Sequence, residues 1–205
     1  MIKKKITKLY YFTNILNDKI KNNIQKFKKD LSIIYYPLVN NFDINSIISI
    51  SKYCFKNNIP FLIPDNCRLA IKIKADGILI SSLNKRNSHC NILNLRKFII
   101  LGAAHNQIDF SRKKNQFCDL VILSPLFSNP KYSNNKILGS IKFNLISKNW
   151  NYKICALGGI SNKNLNKINL LKIKSIGFSR FFLEDQIKKP THLLRWVGFD
   201  VLIIN

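Results

Sequence analysis

Negative charge is what this chain has least of: ten acidic residues stand against 34 basic ones in 205, and Glu184 is the only glutamate. The formal charge of +24 invites a nucleic-acid reading, because lysines that neutralise phosphates release counterions. The lysines run from Lys3 to Lys189 without gathering into one stripe, and no recognised nucleic-acid motif accompanies them. A solvated lysine surface is therefore expected, with no specific nucleic-acid partner. No C-x-x-C pair occurs among Cys54, Cys67, Cys90, Cys118 and Cys155, which leaves buried free thiols in a reducing cytoplasm. No segment reaches the roughly 18 apolar residues of a membrane helix. The basic start, Met1 to Tyr10, is followed by too short an apolar stretch for a signal-peptide core, so a cytoplasmic location without a membrane partner is expected. His89 and His192 have no partners at metal-ligand spacing.

Short runs rich in branched and aromatic residues recur instead. Eight of them read as strands: Lys8–Thr13, Ser32–Tyr36, Pro60–Ile63, Gly77–Ile80, Lys97–Ala103, Leu120–Leu123, Lys153–Leu157 and Lys174–Phe178. Helices are expected at Lys19–Lys29, Ile44–Asn57, Cys67–Ile73, Gln107–Asn115, Ile141–Lys148 and Asn164–Leu171. In the second of these, Ile44, Ile47, Ile48, Ile50, Tyr53, Cys54 and Phe55 make an apolar face for a sheet. Strand followed by helix, repeated, needs right-handed crossovers and a parallel sheet. The count of eight favours a closed (β/α)8 TIM barrel over an open sheet. So does the absence of a G-x-G-x-x-G fingerprint after the first strand, where the chain reads Thr13-Asn-Ile-Leu-Asn17. One barrel domain is expected over residues 1–188. The apolar tail 189–205 should then pack on the barrel or on a partner subunit, as in a homodimer.

The most informative stretch is Lys153-Ile-Cys-Ala-Leu-Gly-Gly-Ile160, an apolar strand that stops at paired glycines. Gly158 and Gly159 let backbone amides approach an anion closely, as a late βα loop of a barrel does when it grips a phosphate. A plain tight turn is the alternative. Asp65 ends a strand just before Asn66-Cys-Arg-Leu-Ala70, and is either a ligand or the N-cap of the helix that follows. His105, just past the fifth strand, is either a general acid or base or a solvent-facing helix-start residue. Lys131 and Lys136 lie in the long segment Ser124 to Gly139, a mobile lid or a solvated surface. Arg180 follows Ser179 after the eighth strand. It suits an oxyanion, or pairs with Glu184 or Asp185.

Taken in order, these landmarks resemble the thiamine phosphate synthase and TenI family of (β/α)8 barrels. Lys8-Leu-Tyr-Tyr-Phe-Thr-Asn14 resembles the family's opening L-Y-L-I-T-D, and Ile59-Pro-Phe-Leu-Ile-Pro-Asp65 its L-I-N-D. Ala75-Asp-Gly-Ile-Leu-Ile80 is similar to A-D-G-V-H-L, and Ile100-Leu-Gly-Ala-Ala-His105 stands where the family has I-G-x-S. The segment Asp119 to Phe127 is similar to D-Y-I-x-x-G-P-V-F, and Ala156-Leu-Gly-Gly-Ile160 to A-I-G-G-I. The resemblance covers residues 8 to 182.

The resemblance implies an enzyme of thiamine biosynthesis, a transferase that joins an aminopyrimidine pyrophosphate to a thiazole phosphate and displaces pyrophosphate with the help of Mg²⁺. It implies that Asp65 and Asn84 hold the Mg²⁺ and that Lys131 stabilises departing pyrophosphate. Gly158, Gly159, Ser179 and Arg180 would then hold the thiazole phosphate. Several residues depart from the pattern. The family's second-strand Q-x-R-x-K is replaced by Ile33-Ile-Tyr-Tyr-Pro-Leu-Val-Asn40, the asparagine of L-I-N-D by Pro64, and a metal-binding aspartate by Asn84. Ala104 stands for the serine of I-G-x-S, and Pro125 where TenI-type tautomerases place a histidine. Two further readings stay open: a thiazole tautomerase with His105 as the replacement base, and a non-catalytic phosphate-binding barrel.

Overall fold

A computed structural model describes residues 6–37, 43–87, 98–128, 136–148, 153–161 and 164–179. Eight strands form one sheet: β1 Lys8–Thr13, β2 Leu31–Tyr35, β3 Phe61–Pro64, β4 Gly77–Ile80, β5 Ile99–Ala104, β6 Leu120–Leu123, β7 Ile154–Ala156 and β8 Ser175–Phe178. Every neighbouring pair is parallel, and β8 returns to β1 with Lys8 opposite Ser175 and Tyr11 opposite Phe178, so the barrel is closed. Among the described residues six helices lie between the strands: α1 Asp18–Phe27, α2 Ile44–Lys56, α3 Cys67–Lys72, α4 Gln107–Asn115, α5 Gly139–Ser147 and α6 Leu165–Ile168. The expected architecture is the one observed. The expected tail, 189–205, lies outside the described residues.

Why these strands read as nearly continuous apolar runs is plain from the two cores. On one pleat side Tyr10, Phe12, Ile34, Leu62, Leu79, Leu101, Ile122 and Cys155 fill the inside of the barrel. On the other, residues such as Leu9, Tyr11, Ile33, Ile63, Ile80, Val121 and Ile176 meet Ile20, Ile24, Ile47, Phe110 and Phe143 of the helices. Strands buried on both faces need apolar side chains at every position. The last strand supplies the room. A Cβ on Gly177 would stand 3.0 Å from Leu157 Cδ1 and 3.2 Å from Phe12 Cε2, so the inner space at β8 belongs to its neighbours' side chains.

The asparagine-rich composition serves the helix starts. Asn17, Asn66 and Asn106 each accept a backbone N–H three residues on, from Ile20, Leu69 and Asp109, and Asp43 caps α2 in the same way through Asn45 and Ser46. Three of the described helices end without glycine. Asn58, Lys74 and Phe117, each just past the end of a helix, take positive φ values of 54°, 54° and 53°. On α2 the buried residues are Ile47, Ile50 and Cys54, while Phe55 is 82% exposed. The expected apolar face was thus too broad, because Phe55 directly follows Cys54 and the 100° turn per residue carries it off the buried stripe. Of the cysteines, Cys54, Cys118 and Cys155 are buried as expected and Cys67 is only half-buried, none of the four in a disulfide; Cys90 lies outside the described residues.

At the opposite end of the barrel, two aspartates of the recurring motifs are structural. Asp76 Oδ2 accepts the N–H of Phe61 at 2.8 Å, and Asp119 Oδ2 that of Ile100 at 2.7 Å. Each satisfies a donor at the start of the preceding strand in the sheet, Phe61 being the first residue of β3 and Ile100 the second of β5.

Candidate active site

Because all eight strands are parallel, residues that follow their C-terminal ends share one mouth. Asp65 follows β3, Ser81 and Asn84 follow β4, His105 follows β5, Ser124 follows β6, Gly158 and Gly159 follow β7, and Ser179 follows β8. Lys131 and Arg180 lie outside the described residues.

Asp65 is held in an unusual backbone conformation, φ +48°, in which its N–H donates to the carbonyl of Leu79 at 3.0 Å. A non-glycine residue persists there only when its surroundings over-determine it. The surroundings are visible: Asp65 Oδ1 accepts the N–H of Ser81 at 3.1 Å and the side-chain amide of Asn84 at 2.8 Å. Asp65 is not the cap of α3, since Asn66 takes that role through Leu69 N. The two residues expected to share a metal are therefore in contact, but Asn84 acts as a donor to its neighbour. Its own oxygen accepts the N–H of Arg86 at 3.0 Å.

Mg²⁺ takes hard oxygen ligands, commonly one or two carboxylates with water and substrate phosphates completing the set. Both bonds to Asp65 use Oδ1, which leaves Oδ2 without a partner among the described residues. Among those residues no group of three His, Cys, Asp or Glu side chains converges. This donor set fits an ion shared with a substrate's phosphates through one carboxylate. It does not fit a closed all-protein cage.

Under the loop after β4 lies a lysine that the sequence did not single out. Lys113 of α4 is fully buried, and its ammonium donates to the carbonyl oxygens of Ser81 and Asn84, the latter at 3.1 Å, and to Gln116 Oε1 at 2.9 Å. Gln116 Nε2 in turn donates to the carbonyls of Asn84 at 3.0 Å and Arg86 at 2.9 Å. Burial pulls this ammonium below the usual lysine range, an effect opposed by Cys118 and by the charge of Asp65. Its stem lies against strand β5 at Gly102, where a Cβ would come within 2.8 Å of Lys113 Cγ. A spacing of three from Phe110 put Lys113 on the buried side of α4. In a chain with 34 basic residues that signal did not stand out.

His105 is half-buried at the neighbouring strand end. Its Nδ1 lies 2.8 Å from the carbonyl oxygen of Ser124 and 3.3 Å from Ser124 Oγ. A carbonyl only accepts, so Nδ1 carries the proton and the lone pair of the neutral ring is on Nε2. Asp109 Oδ2 accepts the His105 backbone N–H at 3.2 Å, and Asp109 Oδ1 pairs with Arg112 at 3.2 Å. The helix that holds the β4 loop thus also fixes His105.

The double glycine has a packing reason of its own. Gly158 and Gly159 take φ values of +95° and +68°. A Cβ on Gly159 would stand 2.5 Å from the carbonyl oxygens of Phe127 and Ser128, so this turn is pressed against the loop after β6. That contact is stitched by Leu126 N–H to Leu157 O at 2.8 Å and Phe127 N–H to Gly158 O at 3.0 Å. The N–H groups of Gly158, Gly159 and Ile160 donate to no protein group among the described residues. Next, Ser161 N–H donates to Asn164 Oδ1 at 2.9 Å. Successive unpaired amides at such a turn form an anion-binding concavity. Ser179, exposed at the end of β8, lies two residues beyond Gly177, as Gly159 does beyond Leu157, and Gly177 and Leu157 pack together.

Where a basic second strand was absent from the sequence, β2 brings Tyr36 to the mouth. Its ring is 43% exposed and meets Phe12 edge-on at 6.2 Å. No helix among the described residues is long and apolar enough to cross a membrane.

The family model described as thiamine monophosphate synthase matches residues 44–180. A thiamine-phosphate synthase from Prochlorococcus marinus subsp. pastoris is 29% identical over 138 residues, 65% of this chain but 36% of that protein. The chain thus spans little more than a third of that relative. One from Flavobacterium johnsoniae is 28% identical over 193 residues, 89% of this chain and 91% of its own length. In structure, a thiamine phosphate pyrophosphorylase from Pyrococcus furiosus superposes with a TM-score of 0.72 at 15% identity, covering 95% of this chain and 96% of the other. An N-(5'-phosphoribosyl)anthranilate isomerase from the same organism reaches 0.62 at 14% identity, covering 93% and 96%. At such identities the solved structures speak for the fold alone.

Proposed function

The chain belongs to the thiamine monophosphate synthase family, and from that membership we propose that it couples an aminopyrimidine pyrophosphate to a thiazole phosphate with release of pyrophosphate. The observation that carries this reading is the pairing, on one barrel mouth, of an Asp65 carboxylate oxygen with three amides at Gly158, Gly159 and Ile160, none of which has a partner among the described residues. Two phosphorylated substrates need two such places. Asp65 Oδ2, oriented by Ser81 and Asn84, would hold Mg²⁺ together with pyrophosphate oxygens; when bound, the ion offsets the charge of the leaving group. The amides at the β7 turn, with Ser179 and Arg180, would hold the thiazole phosphate by charge-assisted hydrogen bonds. By the family resemblance Lys131, in the segment between β6 and α5, would stabilise the departing pyrophosphate.

A second reading rests on His105. A ring pinned through Nδ1, with its lone pair on Nε2, is set up to move a proton, as a thiazole tautomerase requires. Pyrophosphate release from the two precursors, measured with and without Mg²⁺, separates the readings. Metal-dependent release lost in Asp65→Ala supports the coupling. Metal-independent thiazole isomerisation lost in His105→Ala supports the tautomerase. Thiazole phosphate binding without either reaction leaves a non-catalytic barrel.

A further inference from the structure

We propose that Lys113 and Gln116 are positioning residues for the Asp65 carboxylate, acting through the backbone of the loop after β4. This rests on the reading of Asp65 as the ion-holding group. The relay is short and each link is a hydrogen bond. On the inner side, Lys113 and Gln116 grip the carbonyls of Ser81, Asn84 and Arg86. On the outer side the same segment gives its Ser81 N–H and its Asn84 side chain to Asp65 Oδ1. Arg112 adds a long contact to the Ser82 carbonyl at 3.5 Å.

Three features separate this from an incidental buried lysine. The ammonium has three donors and finds three acceptors, all neutral and two of them carbonyls of this one loop, so its location is set by the loop and not by a carboxylate partner. A glycine is required opposite its stem, since a Cβ at Gly102 would stand 2.8 Å from both Lys113 Cγ and Cys118 Sγ. Burying an ammonium is expensive, and a leucine or methionine would fill the same space more cheaply if packing were the only demand. With a single carboxylate in place of two, the direction of that one carboxylate decides how an ion and a pyrophosphate are met.

The test compares Lys113→Met, which keeps the apolar stem, with Gln116→Met, which keeps the lysine. Amide hydrogen exchange is followed across residues 81–86 and across the strands, in the absence and presence of Mg²⁺ with inorganic pyrophosphate. Pyrophosphate release is titrated with Mg²⁺ alongside. In the wild-type chain, Mg²⁺ with pyrophosphate should slow exchange at 81–86. Both variants should speed that exchange at least tenfold while the strands stay protected, lose the protection given by Mg²⁺ with pyrophosphate, and need at least five times more Mg²⁺ for half-maximal release. The proposal is overturned if exchange at 81–86 is unchanged, if it rises equally throughout the barrel, or if the loop loosens with the Mg²⁺ requirement and the protection intact. Should Lys113→Met fail to fold, Gln116→Met decides alone. A wild-type chain that releases no pyrophosphate removes the proposed reaction, and the protection by Mg²⁺ with pyrophosphate then decides the positioning role without turnover.

Discussion

The side-chain amide of Asn84 donates to the carboxylate of Asp65 at 2.8 Å across the ends of β3 and β4. Were Asn84 an aspartate, as the family pattern has it, the same contact would set two negative charges together. Asn84→Asp is therefore expected to lower stability without metal by about 1 kcal/mol, through the lost donor and the added repulsion. For a chain of this size that is a fall in melting temperature of about 2–4 °C. Added Mg²⁺ should restore it, and the metal-dependent rise should exceed that of the wild-type chain. Melting curves with and without Mg²⁺ check this; equal rises in both proteins would refute it.

Two glycines with similar φ should respond differently to a methyl group. At Gly139, φ +63°, a Cβ would meet nothing within 4 Å, whereas at Gly159, φ +68°, it would meet backbone oxygens at 2.5 Å. Gly139→Ala should cost about 1 kcal/mol, the strain of a left-handed alanine. Gly159→Ala should cost about 2 kcal/mol more, because the loop after β6 has to move, and it should weaken thiazole phosphate binding as well. Urea unfolding of both variants gives the ranking.

Phe117 ends α4 at φ +53° with its ring 70% exposed. Glycine there removes the left-handed strain and gives up little burial. Phe117→Gly is expected to stabilise the chain by about 1 kcal/mol, seen as a higher urea midpoint with an unchanged slope. A loss of stability would show that the ring contributes more than its exposure suggests.

Asp43 caps α2, and its hydroxyl and amide bonds from Ser46, with that from Asn45, hold its carboxyl below the usual aspartate value. A depressed folded-state pKa contributes stability that is present above the unfolded value of about 3.9 and is lost as pH falls through the lower folded value. Asparagine keeps the capping geometry but lacks the charge and does not titrate. The stability difference between wild type and Asp43→Asn should thus favour wild type near neutral pH and shrink below pH 4. A difference that stays constant from pH 7 to pH 3 would contradict the assignment.

Much of this molecule is written locally. Gly77–Ile80, Leu120–Leu123 and Gln107–Asn115 have the bounds that their patterns predict, because turn residues and apolar period act over a few neighbours. The closed barrel follows from eight such strands with helical crossovers. Other boundaries slip by one to three residues: α5 begins at Gly139, before the expected Ile141, and α6 stops at Ile168, short of the expected Leu171. Hydrophobic pattern fixes which residues face the core more firmly than where a helix frays.

What the order of residues settled alone was the strand count, the parallel sheet, and the presence of Asp65, His105 and the double glycine at strand ends. What needed the folded chain was every contact between those ends. Asn66 and not Asp65 caps α3, Asn84 turns its amide to Asp65, and Lys113 sits beneath a loop about 30 residues earlier in sequence. Local propensity is a property of neighbours along the chain. Which of many chemically identical lysines is buried depends on where the closure of the barrel puts Gly102 and the Ser81–Arg86 carbonyls, and those distances exist only in three dimensions.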